Sequence, residues 1–154
     1  MNRGTLASVA LLFATACATG VARSSDPPAV AEVRVGRMSP AAGSELRTET
    51  VLVAEISYSI EHYKPGVDYY VAPLFASTEG SGRTFNMFDR IADSPRISAA
   101  EGTVKVRYPV ARELRSAQLA RPVKLWFYVM ERTGPGKTRV IGKTEAFEFR
   151  APTR

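Results

Sequence analysis

Residues 52–60 read LVAEISYSI, and this stretch alternates between two kinds of side chain along its whole length. The apolar and aromatic positions of one face are Leu52, Ala54, Ile56, Tyr58 and Ile60. The other face carries Val53, Glu55, Ser57 and Ser59. A period of two with β-branched and aromatic residues is typical of a strand that buries one face. The stretch therefore predicts a half-buried β-strand.

Two further stretches repeat the alternation, TVKVRYPV at 103–110 and VKLWFYVM at 123–130. In the first, the predicted inward side chains are Val104, Val106 and Tyr108, and the outward ones are Lys105 and Arg107. In the second, the inward side chains are Val123, Leu125, Phe127 and Val129, and the outward ones are Lys124, Trp126, Tyr128 and Met130. Other candidate strands are Val30–Arg37, Val67–Thr78 and Arg139–Arg150.

Turn signals separate these strands. Lys64-Pro65-Gly66-Val67 is typical of a type II turn, in which glycine adopts the positive φ. Glycines at 80–82 and 134–136 mark places where two strands can reverse as hairpins. Residues 88–94 and 111–120 favour short helices. Strands joined by short turns predict an all-β fold, a single antiparallel β-sandwich of about seven strands.

Three segments carry a resemblance to known domains: MSPAAGSELRTETVLVAEISYSI (38–60), ARPVKLWFYVMER (120–132) and RVIGKTEAFEFR (139–150). They resemble the first hairpin and the last two strands of immunoglobulin-like or fibronectin type III-like bacterial domains. The resemblance spans most of residues 30–150 and implies an immunoglobulin-like sandwich, but it transfers no functional site. The disulfide of antibody domains cannot form, because the chain has one cysteine.

The N-terminus has the order of a secretory signal: basic Arg3, a short apolar core at 6–13, then small residues. Ala14-Thr15-Ala16-Cys17 resembles the lipobox of bacterial lipoproteins, which implies cleavage before Cys17 and lipidation of its thiol. The same residues suit an ordinary secreted protein, and the uncharged stretch Thr5–Ala22 leaves an uncleaved membrane anchor open. The lipoprotein reading implies an envelope location at the outer membrane, on its periplasmic or surface face.

The predicted organisation is a signal peptide at 1–16, a lipidated cysteine and flexible tether at 17–29, and the sandwich at 30–151. The tether prediction rests on the small, polar, proline-bearing stretch ATGVARSSDPPA. Basic residues concentrate in the second half, where 102–154 hold 12 Lys and Arg against 4 Asp and Glu. Such an uneven charge distribution usually reflects a basic face in contact with water, and less often a surface that binds an anionic partner.

Little in the sequence indicates catalysis. The only histidine, His62, follows a strand beside a turn, and no serine stands in a Gly-x-Ser-x-Gly context. A metal would need His62 with Glu61 and Asp68, a set without recognised spacing. Asp89 and Asp93 could share a helical face, although a solvated turn explains them better. The sequence therefore predicts a non-enzyme with no cofactor, no metal site and no nucleic-acid partner.

A binding surface is the remaining functional prediction. Outward Trp126 and Tyr128 are expected to stand in a row with Lys124, and pairing with the strand at 67–71 adds Tyr70 or its neighbour Tyr69. Aromatic residues on an exposed face suit a protein or glycan contact, and lysines attract anionic polymers. The opposite possibility is that a loop, the tether or the 111–120 segment covers the row. The predicted function is an envelope-binding lipoprotein, with a small cell-wall hydrolase or a subunit of a secretion or surface assembly as alternatives.

Overall fold

The computed structural model describes residues 27–87 and 94–152, which form nine β-strands and one short helix. The elements are β1 (Val30–Ser39), β2 (Val51–Glu61), β3 (Tyr69–Ala76), β4 (Thr84–Phe85), β5 (Arg96–Ile97), β6 (Glu101–Pro109), α1 (Ala111–Arg115), β7 (Val123–Gly134), β8 (Lys137–Lys143) and β9 (Phe147–Phe149). Every pairing between these strands is antiparallel. The predicted all-β class is confirmed.

The strands form two sheets. The first sheet has the order β1-β2-β6, and the second has the order β4-β3-β7-β8. The two-residue strand β5 also pairs with β3, and β9 pairs with β7 beyond the end of β8. The predicted pairing of the strand at 123–130 with the strand at 67–71 is therefore confirmed, with Tyr70 opposite Met130.

The core lies between the two sheets and takes the side chains that the alternation predicts. Ile56 of the first sheet and Phe127 of the second are both fully buried in one hydrophobic cluster. The other predicted inward residues that are buried there are Leu52, Ala54, Tyr58, Ile60, Val106, Tyr108, Val123, Leu125 and Val129. The register of three strands is thus the predicted one.

The predicted turns also occur. The Val67 amide donates to the Lys64 carbonyl at 3.2 Å, and Gly66 adopts a φ of 85°. Gly134 pairs with Lys137 at the tip of the β7–β8 hairpin. The loop between β3 and β4 is closed by a hydrogen bond from the Ser77 amide to the Arg83 carbonyl, 2.9 Å long.

Two predictions of single elements were wrong. The strand predicted at 139–150 is two strands, β8 and β9, because Thr144 leaves the ladder between them and its hydroxyl accepts a hydrogen bond from the Phe127 amide at 3.1 Å. This break and the short strands β4 and β5 raise the strand number from the predicted seven to nine among the described residues.

The helix predicted at 111–120 ends at Arg115. Beyond it, the backbone pairs with the end of β3 instead: the Thr78 amide donates to the Gln118 carbonyl, and the Ala120 amide donates to the Ala76 carbonyl. Tertiary hydrogen bonds therefore replace the last helical turns. The short helix predicted at 88–94 lies, except for Ser94, outside the described residues.

The start of β1 crosses closely over β8. A Cβ atom added to Gly142 would lie 2.3 Å from the Ala31 carbonyl oxygen, which is far inside van der Waals contact. Only glycine allows this approach. The contact joins the first strand of the first sheet to the second sheet.

Candidate functional site

The outer face of the second sheet carries a row of large apolar side chains, which we call the aromatic face. Trp126, Tyr128 and Met130 alternate with the buried residues of β7 and are half-buried themselves. Across the ladder on β3 they stand opposite Leu74, Ala72 and Tyr70, in that order. Directly opposed residues of an antiparallel pair point to the same side of the sheet. The predicted outward row is therefore present.

Tyr70 differs from the expectation of an exposed residue. It belongs to the outward row, yet only 3% of it is exposed, and Ala72 beside it is 2% exposed. Asn86, which follows β4, and Thr138 of β8 line the same cavity as Tyr70. Tyr70 is therefore almost fully buried, whereas Trp126 and Tyr128 are half-buried.

A cavity of about 230 Å³ opens at this covered end of the aromatic face. Its lining residues are Tyr70, Ala72, Asn86, Ser94, Met130, Gly136 and Thr138. Ala72 has the smallest side chain of the outward row on β3 and lines the cavity, whereas Tyr128 opposite it does not. Among the described residues, the lining contains no Asp, Glu, His, Lys or Arg.

Two lysines stand at the aromatic face, and one of them is the predicted Lys124. Lys124 forms a surface ion pair with Glu148 at 2.9 Å. Lys143 stands opposite Tyr128, is exposed, and forms no ion pair within 27–87 and 94–152. Lys143 is thus a second cation beside the aromatic face. The sequence analysis did not single it out, because its place opposite Tyr128 depends on the β-bulge between β7 and β8.

A cluster of ion pairs lies at the end of the second sheet that is nearest the cavity. Asp68 accepts from Arg96 and lies 3.3 Å from the Arg132 Nε atom, and its backbone carbonyl accepts from the Arg132 amide at 2.9 Å. Glu131 pairs with Arg139. The carboxylate of Asp68 is therefore committed to two arginines.

The outer face of the first sheet carries hydroxyl and charged side chains instead of a row of aromatic ones. Ser57 and Thr103 share a hydrogen bond of 3.2 Å across β2 and β6, and Lys105 stands beside them, opposite Glu55. Lys105 and Arg107 lie on β6 and so belong to a different sheet from Trp126. These cations cannot act on a molecule held by the aromatic face.

Among the described residues, the structure brings only the adjacent Glu61 to His62. Its side chain is 43% exposed at the end of β2 and lies 3.3 Å from Glu61, while Asp68 is held by its arginines. Within the part of the chain that the structure describes, no three His, Cys, Asp or Glu side chains are close enough to hold a metal ion. Asp89 and Asp93 lie outside that part.

A buried carboxyl group is the feature that the sequence analysis missed. Glu113 is 1% exposed, and its Oε1 atom accepts from the Tyr108 hydroxyl and from the Met87 amide, the latter at 2.8 Å. Burial and the hydrogen bond to Glu113 raise the pKa of Tyr108 well above its usual value. Since Tyr108 lies in the first sheet and Met87 follows β4 of the second, the group joins the two sheets.

The predicted signal peptide, Cys17 and most of the tether lie outside the described residues. Over 27–87 and 94–152, no helix has the length and hydrophobicity needed to span a membrane. Comparison of the chain with protein-family models, curated proteins and solved structures gives no match.

Proposed function

We propose that this protein is a non-catalytic lipoprotein of the cell envelope, and that its β-sandwich binds another envelope component through the aromatic face. The observation that carries the proposal is the row of half-buried Trp126, Tyr128 and Met130 on an outer sheet surface. Trp and Tyr are frequent centres of binding because they bury large areas, lose little rotamer entropy and carry a polar tip. A protein, a glycan or an anionic polymer of the envelope fits this surface.

The finer fold in this proposal is immunoglobulin-like. In such domains the first, second and fifth main strands share one sheet, and the third, sixth and seventh share the other. The sheet orders β1-β2-β6 and β3-β7-β8 support this assignment, with β4 and β5 as short strands at the edge of β3. In this assignment β9 completes the last strand after its break at Thr144.

Two observations favour binding over the alternative functions. A hydrolase would need converging acids or bases, whereas the described residues of the cavity lining include none and His62 lies at an exposed turn. An assembly subunit would use a long open strand edge. The free edge of β1 is interrupted by a bulge at Gly36 between Arg34 and Arg37, and bulges and charges keep edge strands from pairing with other chains.

Co-purification from detergent-solubilised envelopes tests the binding proposal. We expect the double variant Trp126→Ala, Tyr128→Ala to lose its envelope component while keeping the circular dichroism of the folded protein. The matched control is Ser57→Ala, Thr103→Ala on the first sheet, which should retain the component. Equal retention by both double variants would contradict the proposal.

Palmitate labelling tests whether a lipid on Cys17 anchors the protein. Radiolabelled palmitate should enter the wild-type protein in its native host and should not enter Cys17→Ala, which we expect to leave the membrane fraction. Equal labelling of both would contradict lipidation. A variant that is unlabelled but still membrane-bound would favour the uncleaved anchor instead.

A further inference from the structure

The cavity on the aromatic face contains two hydroxyl groups that the fold leaves unused. Tyr70 and Ser94 both line it and are 3% and 4% exposed. Neither side chain is hydrogen-bonded to any residue in 27–87 or 94–152. Within those ranges, the one fully enclosed side-chain polar atom without a partner is Glu113 Oε2, so the two hydroxyls reach accessible space. The cavity that both residues line is that space.

The other described residues of the lining suit an uncharged polar molecule. Asn86 donates its amide to the Pro73 carbonyl at 3.3 Å, which leaves its own carbonyl oxygen as an acceptor. Met130 and Ala72 provide apolar surface between these polar groups. Hydroxyl and amide groups next to apolar surface match a ring that carries several hydroxyls on a carbon frame. Hydroxyls that reach a cavity without a protein partner can bond to water there, and the hydroxyls of such a ligand can replace that water.

The aromatic face continues beyond the cavity. Tyr128 stands one row from Met130 and Trp126 stands two rows away, about 13 Å along the strand. A molecule of one ring would fill the cavity alone, whereas a chain of rings would also cover these side chains. Sugar rings stack well on aromatic side chains, since their C–H faces are apolar and their edges are polar.

We infer that the cavity binds one uncharged sugar residue of an envelope glycan, and that the next residues of the glycan lie across Tyr128 and Trp126. The inference rests on the proposed function, because it names the class of component that the aromatic face binds. Tyr70 and Ser94 hold the sugar by hydrogen bonds, and the aromatic row holds its neighbours by stacking.

Calorimetric titration of the full chain, purified in detergent, tests the inference. The probes are neutral trisaccharides built from hexose, N-acetylhexosamine and 6-deoxyhexose units. At least one should bind and change the emission of Trp126, the only tryptophan of the chain. The corresponding monosaccharide should bind more weakly and leave this emission unchanged, because it does not reach Trp126.

Two variants separate binding from stability. Tyr70→Phe should weaken trisaccharide binding roughly 3- to 10-fold, the effect of one hydrogen bond, without lowering thermal stability. Thr138→Tyr, at the exposed rim, should block the cavity and weaken binding by about tenfold or more. Thr133→Tyr is the matched control, since Thr133 is exposed on the same hairpin but does not line the cavity.

Binding of no trisaccharide, or full binding by Thr138→Tyr and Tyr70→Phe, would overturn the inference. If no sugar binds while Trp126→Ala, Tyr128→Ala still loses its envelope component, the glycan inference fails and the proposed function stands. If that double variant keeps its envelope component, the proposed function itself fails.

Discussion

The outer faces of the two sheets follow the same alternating pattern, but one face is polar and the other is aromatic. On the first sheet, Ser57 and Thr103 hydrogen-bond to each other among charged neighbours, as an ordinary solvated surface does. On the second, Trp126 and Tyr128 lie half-buried beside a cavity. The pattern decides only which side chains enter the core. The identity of the residues left outside distinguishes the polar face from the aromatic one.

The substitutions with the largest expected effect test the strand register, on which the comparison of the two faces depends. Ile56→Ala and Phe127→Ala each leave a void in the shared core and should lower the free energy of unfolding by about 2 to 5 kcal/mol. Ser57→Ala and Lys124→Ala, one residue away on the outer faces, should change it by less than about 0.5 kcal/mol. Denaturant midpoints measure all four. The reverse ranking would exchange the inner and outer faces.

A second test concerns the group that ties the sheets together. Tyr108→Phe removes the hydrogen bond to buried Glu113 and should cost about 1 to 3 kcal/mol at neutral pH. Tyr58→Phe is the control within the same sheet, and we expect it to cost less than half as much. Equal costs for both would mean that the bond to Glu113 contributes nothing.

Unfolding at alkaline pH tests the same hydrogen bond between Tyr108 and Glu113. The pKa of Tyr108 lies above its ordinary value of 10.0 in the folded protein, so the unfolded chain releases this proton first. Its contribution to stability is complete below pH 10 and is lost as the pH rises further. Thermal melts should therefore show a shallower alkaline decline for Tyr108→Phe than for the wild type. Parallel declines would contradict this assignment.

A third test separates a half-buried face from a core. Trp126→Ala and Tyr128→Ala should each lower the free energy of unfolding by about 1 to 2 kcal/mol, since part of each side chain is already in solvent. Thr103→Ala on the first sheet should have almost no effect. Urea denaturation gives the three values. Complete unfolding of the Trp126 variant would show that the aromatic row is core, and the contrast between the faces would disappear.

The smallest effect concerns charge. Lys143→Gln should leave stability within about 0.5 kcal/mol of wild type, because the ammonium is exposed. It should nevertheless reduce the salt dependence of binding to the envelope component, since Lys143 stands beside Tyr128. Lys105→Gln on the first sheet should leave that dependence unchanged. Identical salt profiles for both variants would remove Lys143 from the site.

The sequence predicted the all-β class, the inward residues of three strands and the pairing that puts Tyr70 opposite Met130. Those features follow from a local period and from turn residues, which any short window contains. The burial of Tyr70 could not be predicted, because the alternation places it on the outer face and gives no information about what packs over that face. The place of Lys143 opposite Tyr128 likewise depends on a bulge that only the folded chain has.

The buried Glu113 illustrates the same limit. In the sequence it belongs to a stretch rich in helix formers and has no distinguishing neighbour. Its role depends on contact with Tyr108, which is close in sequence, and with Met87, which is not. Long-range contact of this kind leaves no periodic signal.

The place where β1 begins has a mechanical consequence. If the protein is anchored by Cys17 and held at the aromatic face, as proposed, tension between the two reaches the sandwich at the N-terminal end of β1, which begins at Val30. β1 is antiparallel to β2 from Val30 to Ser39, so a pull directed along the strand loads their ladder in shear, and many hydrogen bonds share the force. The close crossing at Gly142 clamps the loaded end of β1 against β8. The crossing therefore links β1, the strand that leads toward the N-terminus, directly to the sheet that carries the aromatic face.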